Sequence, residues 1–196
     1  MSGGPRTAVF AYGSLVSRAS AALTLGDVGE IHPAELRGWR RGFTQARHNP
    51  TCEKTFARAD SGEVPAWILG LGVDPAPGAA VNGALIELGE EQAARLDARE
   101  LRYTRADITA AVIGGAGTPA FDRIFTFVPR SENSAPEPPP GAVILRSYAE
   151  ATEAAFAELG PGELERYVES TWVPDVEVIE GRLVRDEIPP GNPRDW

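Results

Sequence analysis

The stretch TAVFAYGSLVSRA, residues 7–19, sets the start of the fold. Residues 7–12 are small or apolar and predict a short, fully buried strand. The chain turns polar directly afterwards, and residues 17–25 predict a short helix with Ser17 as its N-cap. A buried strand therefore leads into a helix through only a few residues.

Those connecting residues are a candidate binding loop, made of Tyr12, Gly13, Ser14 and Leu15. A strand that ends in Gly-Ser and feeds a helix leaves several backbone N–H groups unpaired, which is typical of a site for a carboxylate or phosphate. Gly13 allows either close approach of a ligand or a positive φ. The alternative is a tight turn with a helix cap and no ligand.

Composition narrows the class of protein. The chain has 196 residues and a net charge of -9, which disfavours binding to nucleic acid or to an anionic membrane. One cysteine, Cys52, excludes a disulfide framework and a cysteine-based zinc site. The sequence has no run of 18 apolar residues and no apolar signal core near Met1, so we expect a cytoplasmic protein. The abundance of Ala, Gly, Pro and Arg is typical of GC-rich bacterial coding.

The order of elements predicts an α+β fold, a small mixed, mostly antiparallel β-barrel with flanking helices. We expect one domain over residues 1–196, with a flexible N-terminus at 1–6, a Pro-rich internal loop at 131–141 and a Pro-rich tail at 185–196. Besides the first strand, the pattern predicts strands over residues 34–44, 66–73, 81–88, 103–113, 121–128 and 176–184. Besides the first helix, it predicts helices over residues 89–100, 146–159 and 162–170. It also predicts a turn at residues 74–78 and leaves residues 45–65 unassigned.

Glu100 is a candidate acid/base, because it lies where a predicted helix ends and a strand begins. Leu96 and Leu101 would hold it in a dry pocket, where burial raises the pKa of a carboxyl group toward neutrality. The alternative is a surface glutamate paired with Arg99 or Arg102.

Three further patterns carry less weight. Residues 36–43 mix arginine with aromatic residues, and a strand with its aromatics inward and its arginines outward explains this better than a nucleic-acid patch does. Cys52 with a histidine, or Ser14, would serve as a hydrolase nucleophile, but no motif supports either. His32 and His48 lack metal-ligand spacing, so no metal is expected.

Taken in order, the motifs resemble the gamma-glutamylcyclotransferase-like family. The resemblance rests on Tyr-Gly-Ser-Leu at 12–15, Gly-Trp-Arg-Arg-Gly-Phe at 38–43, Val-Asn-Gly-Ala-Leu-Ile-Glu-Leu at 81–88 and Leu-Asp-Ala-Arg-Glu at 96–100. A further Ser-Tyr helix start at 147–148 resembles one that supplies a pocket tyrosine in the family. The family includes glutathione-specific and gamma-glutamylamine cyclotransferases.

The resemblance implies a function and a set of site residues. The loop of Tyr12, Gly13, Ser14 and Leu15 would cradle a gamma-glutamyl group, Glu100 would be the catalytic acid/base, and Tyr103 and Tyr148 would wall the pocket. The reaction would cyclise a gamma-glutamyl amide to 5-oxoproline and release an amine or amino acid, with no cofactor. The partner is then a small-molecule substrate rather than nucleic acid or a membrane. A non-catalytic anion-binding module on the same fold is the competing hypothesis, and the leaving group and oligomeric state stay open.

Overall fold

The computed structural model describes residues 4–188 and 192 of the chain. Its strands are β1 Thr7–Ala11, β2 Ile31–His48, β3 Lys54–Arg58, β4 Trp67–Leu88, β5 Tyr103–Asp107, β6 Val112–Gly114, β7 Arg123–Pro129, β8 Ala142–Leu145, β9 Thr171–Trp172, β10 Glu177–Ile179 and β11 Gly181–Asp186. Its helices are α1 Arg18–Leu25, α2 Glu90–Arg99, α3 Arg146–Leu159 and α4 Glu163–Ser170.

Two long strands, β2 and β4, form an antiparallel ribbon from which the main sheet grows. The far half of β4 also pairs antiparallel with β1, and β1 pairs in parallel with β7. The near end of β4 pairs in parallel with β8. Strand β1 thus lies between two partners and is buried from Ala8 to Ala11, as its uniformly apolar sequence predicts.

A glycine permits the contact between β1 and β4. A Cβ atom on Gly83 would lie 2.3 Å from the carbonyl oxygen of Ala11 and 2.6 Å from the ring of Phe10. No other residue fits there without displacing β1, because both contacts are far below van der Waals distance. Gly83 therefore sets how closely the strand that precedes the 12–15 loop can pack.

The α+β class with a largely antiparallel sheet is confirmed, but the sheet is not a closed barrel. Its strands follow the order β10-β8-β4-β1-β7-β5, and β10 and β5 do not meet among the described residues. β3 and β11 form a second, two-stranded sheet that joins part of the unassigned segment 45–65 to the C-terminal region. The predicted barrel is therefore a curved open sheet with a small second sheet beside it.

The predicted turn at 74–78 is wrong. β4 runs continuously from Trp67 to Leu88, and this segment is an irregularity within it, opposite the register shift between Arg37 and Trp39 of β2. The Asp-Pro and Pro-Gly pairs that signal a turn instead allow a bulge in a long strand. The strand predicted over 176–184 is likewise divided, into β10 and β11.

The helices follow the sequence pattern closely. α3 covers the predicted residues 146–159, and α1 begins one residue after Ser17, whose side chain makes no capping hydrogen bond. No helix in the described ranges is long and apolar enough to cross a membrane. Arg6, within the segment predicted as flexible, pairs with Glu87 at 2.7 Å. Residues 1–3 and most of the predicted tail, 189–191 and 193–196, lie outside the described residues.

Arg41 of β2 is the largest side chain that is fully buried. Its guanidinium donates to the carbonyl and side-chain oxygens of Asn82 at 2.6 and 2.9 Å, and to the hydroxyls of Ser170 and Thr171 at 2.9 and 2.7 Å. Its Cζ atom also lies 4.4 Å from the ring centroid of Tyr167. One cation thereby joins β2, β4, α4 and β9, which contradicts the prediction that the arginines of 36–43 face outward.

The hydrogen-bond network around Arg41 also brings a negative charge close to the buried cation. The side-chain amide of Asn82 donates to Glu163 Oε2 at 2.7 Å, so Asn82 links the guanidinium of Arg41 to a carboxylate. Burial lowers the pKa of Arg41 to about 10, opposed by the attraction of Tyr167, so the guanidinium keeps its charge at neutral pH. A buried charge held in this way is costly to disturb.

We expect Arg41→Met to lower the free energy of unfolding by about 3 kcal/mol, because it leaves several buried oxygen acceptors without a donor. Arg41→Lys keeps the charge but not the planar fork, and recovers only part of the loss. Urea unfolding measures both.

Arg40→Met is the matched control, since Arg40 is adjacent and exposed. It should change the free energy of unfolding by less than about 0.5 kcal/mol. Equal effects of the Arg40 and Arg41 variants would contradict the assigned role of the network.

Candidate functional site

The 12–15 loop begins where β1 ends and closes into a single 3-10 turn, Ser14–Val16. Within that turn the amides of Val16 and Ser17 donate back to Gly13 and Ser14. The amides of Gly13, Ser14 and Leu15 have no acceptor among the described residues. This is the arrangement expected of the first N–H groups of a helix, and it leaves three donors for a ligand.

Gly13 keeps the space in front of these amides open. Its φ is -140°, so the alternative of a positive φ is wrong. A Cβ here would lie 3.4 Å from Leu71 Cδ1 and 3.5 Å from the hydroxyl of Tyr148. Those are ordinary contact distances, so a side chain fits without strain and takes up the space where a ligand would lie.

Tyr12 anchors the loop. Its ring is buried, and its hydroxyl donates to the carbonyl oxygen of Phe127 in β7 at 2.6 Å. Burial raises the pKa of this hydroxyl well above its ordinary value, and neighbouring groups including Tyr103 and Glu100 raise it further. Tyr12 therefore stays neutral, and its hydroxyl proton is used in the hydrogen bond to Phe127.

Glu100 follows the last turn of α2, and its amide still donates to Leu96 at 2.9 Å. Its side chain is 13% exposed, and Oε1 lies 3.2 Å from Nε of the buried Arg99. Arg99 in turn donates to Thr24 of α1 at 2.7 Å. The expectation of a buried carboxylate and the alternative of a glutamate paired with arginine thus both hold in part. Leu101, however, is exposed and does not enclose the carboxylate.

The backbone of Leu71 in β4 orients two tyrosines. The pairing of β2 with β4 shifts register between Gly42 and Gln45, beside this residue. Its carbonyl oxygen accepts the Tyr103 hydroxyl at 2.7 Å, and its amide donates to the Tyr148 hydroxyl. The strand irregularity therefore supplies the groups that hold both rings.

Tyr148 differs from the other two tyrosines because its own proton has no acceptor among the described residues. Burial raises the pKa of its hydroxyl, the amide of Leu71 lowers it in part, and the charge of Glu100 raises it again. The hydroxyl is therefore a neutral donor at physiological pH. Tyr12 and Tyr103 donate to backbone carbonyls, so Tyr148 is the tyrosine that can donate to a ligand.

One small cavity of about 70 Å³ brings the predicted residues together, and we call it the loop cavity. It is lined by all seven of them, namely Tyr12, Gly13, Ser14, Leu15, Glu100, Tyr103 and Tyr148. A second cavity of about 100 Å³, the basic cavity, shares Ser14, Glu100 and Tyr148 with it and extends past Arg47. The functional roles of the seven residues stay predictions.

The arrangement suits proton transfer at a ligand with an oxygen that becomes negative. Glu100 supplies an acceptor, and the loop amides with Tyr148 supply donors around the same space. Within residues 4–188 and 192, no cluster of His, Cys, Asp and Glu has the form of a metal site.

The structure does not favour Cys52 as a hydrolase nucleophile. Cys52 is buried, and its thiol contacts the carbonyl oxygens of Asn49 and Lys54 rather than a histidine. His48 instead contacts Thr51 and packs edge-on against Trp67. Neither residue lines the loop cavity.

Sequence reasoning missed Leu71 and the part played by Arg99. Leu71 acts through its backbone, for which the only sequence signal is the neighbouring pair of glycines, Gly70 and Gly72. The sequence predicts Arg99 only as a surface partner of Glu100, whereas in the structure its side chain is as buried as the core residues. An arginine in the last turn of a helix beside a candidate catalytic acid was the signal available.

Among the comparisons with known proteins, a family model identifies the family and solved structures support the fold. The family model described as Gamma-glutamyl cyclotransferase, AIG2-like, matches residues 9–142, more than half of the chain. No curated protein sequence matches. A solved structure named Gamma-glutamyl cyclotransferase is 15% identical, with a TM-score of 0.60 over 87% of this chain and 90% of its own. An uncharacterized protein from Homo sapiens is 17% identical, with a TM-score of 0.61 over 88% and 91%. At these identities the structures support the fold alone.

We expect Tyr12→Phe to lower the free energy of unfolding by about 1–2 kcal/mol, because the buried carbonyl of Phe127 loses its donor. Urea unfolding measures the change. Ser14→Ala is the control, since its hydroxyl makes no hydrogen bond within the described residues, and it should stay within about 0.5 kcal/mol. A Tyr12→Phe protein as stable as wild type would remove the anchoring role.

Proposed function

Because the chain belongs to the Gamma-glutamyl cyclotransferase, AIG2-like family, we propose that it cyclises a gamma-glutamyl amide to 5-oxoproline and releases an amine or amino acid. One observation carries the proposal. The residues that line one small cavity carry a largely buried carboxylate, three loop amides without an acceptor among the described residues, and a tyrosine hydroxyl whose proton likewise has none. The carboxylate can transfer protons, and the amides and the tyrosine hydroxyl can donate hydrogen bonds to an oxyanion, as the reaction requires.

The nucleophile belongs to the substrate. Its α-amine attacks its own γ-carbonyl carbon and closes a five-membered lactam, so the protein need only hold the chain bent and supply proton transfer. This explains why the cavity needs no serine or cysteine nucleophile. Cys52 has no part in the reaction.

Glu100 moves the protons. The carboxylate first takes one proton from the α-ammonium group, which frees the amine to attack. Glu100 gives this proton to the leaving nitrogen as the bond from that nitrogen to carbon breaks. The restored carboxylate then takes the second proton from the new ring nitrogen and passes it to the released amine, so Glu100 ends the cycle ionised. Arg99, 3.2 Å away, holds the carboxylate in position during these transfers.

The loop and Tyr148 stabilise negative charge. The oxygen of the γ-carbonyl becomes an oxyanion in the tetrahedral intermediate and requires donors that are already in place. The amides of Ser14 and Leu15 and the hydroxyl of Tyr148 are such donors. The buried anchor of Tyr12 on Phe127 keeps the loop from rearranging.

We expect Glu100→Gln to lower kcat for 5-oxoproline formation by at least ~100-fold, since glutamine keeps the shape but cannot carry the proton. The assay incubates a panel of gamma-glutamyl compounds with each protein and quantifies 5-oxoproline by mass spectrometry. Glu91→Gln, an exposed position on α2, is the control and should match wild type.

Equal turnover by the Glu100→Gln protein would refute the assigned role. Thiol and serine reagents add a further check, because a hydrolase would be inactivated by one of them. If Glu100→Gln binds 5-oxoproline in calorimetry as wild type does, while neither protein turns over any compound, the protein is the anion-binding module instead.

We expect Gly13→Ala to reduce kcat/KM by at least ~10-fold with little loss of stability, because the added methyl fits but occupies the ligand space. Thermal unfolding should shift by only a few degrees. Full activity in this variant would show that the substrate does not lie against Gly13.

A further inference from the structure

Thr24 is a polar residue on the buried face of α1. The other buried residues of this helix are Ala21 and Leu25, and Thr24 itself is 2% exposed. A hydroxyl buried among apolar groups is costly unless it forms a hydrogen bond. The one hydrogen bond that the Thr24 side chain makes within the described residues is the bond that it accepts from Arg99. The presence of a hydroxyl at this position is therefore explained by Arg99.

Arg99 links Thr24 to Glu100. Its Nη1 donates to Thr24 Oγ1 at 2.7 Å, and its Nε lies 3.2 Å from Oε1 of Glu100. The guanidinium is planar and rigid, so contacts at two of its nitrogens restrict both the position and the orientation of the group. Arg99 is also 3% exposed, which leaves it little room to move. The carboxylate of Glu100 is thus held from α1 through one rigid group.

The packing of α1 against α2 does not require this contact. Gln92, near the start of α2, donates to the carbonyl oxygens of Leu25 and Asp27 at 3.3 and 2.7 Å. These acceptors lie at the end of α1 and just beyond it. They join the two helices independently of the bond between Thr24 and Arg99, so the loss of that bond would not separate the helices.

The segment that carries Thr24 also carries the 12–15 loop. The 3-10 turn Ser14–Val16 leads through Ser17 directly into α1, where the amide of Ala21 donates to the carbonyl of Ser17 at 2.9 Å. Thr24 and the loop amides therefore belong to one continuous, hydrogen-bonded segment. A carboxylate held from Thr24 is constrained relative to the donors of the loop cavity. This matters for a reaction, because a displacement of about 1 Å in a reacting group can cost roughly 100-fold in rate.

We propose that Thr24 is a positioning residue for the reaction, and that through Arg99 it fixes the carboxylate of Glu100 relative to the 12–15 loop. Thr24 is not among the residues that line the loop cavity or the basic cavity, so it acts without touching the substrate. The proposal rests on the proposed function and adds to it a residue of α1 on which the rate of the proton transfers depends.

Two substitutions separate the hydroxyl of Thr24 from its volume. Thr24→Val keeps the shape and removes the acceptor, and we expect it to lower kcat for 5-oxoproline formation by at least ~10-fold with KM within ~3-fold of wild type. Thr24→Ser keeps the acceptor but leaves a small cavity, so it should lose stability and retain kcat within ~3-fold of wild type. The assay uses the gamma-glutamyl compound that wild type turns over fastest, at a temperature well below the unfolding midpoint of each variant.

Arg99→Met tests the route from Thr24 to Glu100. If Thr24 acts through Arg99, adding Thr24→Val to Arg99→Met should lower kcat by less than ~2-fold further, because the interaction is already lost. A full ~10-fold further loss in the double variant would overturn the route. The comparison of Thr24→Val with Thr24→Ser decides the proposal even where Arg99→Met is too unstable to assay.

Thr55→Val is the matched control. Thr55 is also buried, and its hydroxyl accepts a hydrogen bond from Nε of Arg185 at 3.1 Å, but it lines neither the loop cavity nor the basic cavity. The free energy of unfolding of this variant should fall because a buried hydrogen bond is lost, while kcat should stay within ~2-fold of wild type.

Three results would overturn the proposal, namely wild-type kcat in Thr24→Val, an equal loss of kcat in Thr24→Ser, or an equal loss in Thr55→Val. Each of them leaves the proposed function in place, because wild type still forms 5-oxoproline. Formation of 5-oxoproline from no gamma-glutamyl compound would instead refute the proposed function, and this proposal with it.

Discussion

The structure depends on the burial of one guanidinium, that of Arg41. It enters a core of Phe156 and Tyr167, where a charge is stable only if its donors are satisfied, and it finds its acceptors on β4, α4 and β9. Those elements must therefore meet at one point. Its contact with the carbonyl of Tyr12, at 3.4 Å, carries the same constraint to the start of the 12–15 loop.

The site is assembled from departures from regular structure. β1 stops at Ala11, α2 stops before Glu100, and the β2–β4 ladder shifts register beside Leu71. Each of these interruptions frees backbone groups or directs a side chain inward. All three lie around the loop cavity, which is too small to hold bulk solvent. Regular elements supply the rigidity, and their ends supply the polar groups that line the cavity.

The sequence predicted the local features well, since they depend on neighbours along the chain. Helix α3 and strand β1 follow from their apolar patterns, and Tyr-Gly-Ser-Leu with Glu100 indicated the family. Arg41 was misplaced, although Trp39, Arg41 and Phe43 alternate along one strand and so share a face. The pairing of β3 with β11 and the polar contacts of Leu71 depend on distant segments, which no local pattern encodes.

The small sheet of β3 and β11 has a consequence for how relatives of this fold diverge. Gly181 and Leu183 of β11 line a groove of about 680 Å³ that also reaches Ser14 and Tyr148, whereas Glu100 and the 12–15 loop lie within residues 9–142, the part that matches the family model. Substitutions in β11 can thus change the shape of this groove without moving Glu100 or the 12–15 loop. The groove can therefore diverge in one part of the gene while the cavity around Glu100 is kept in another.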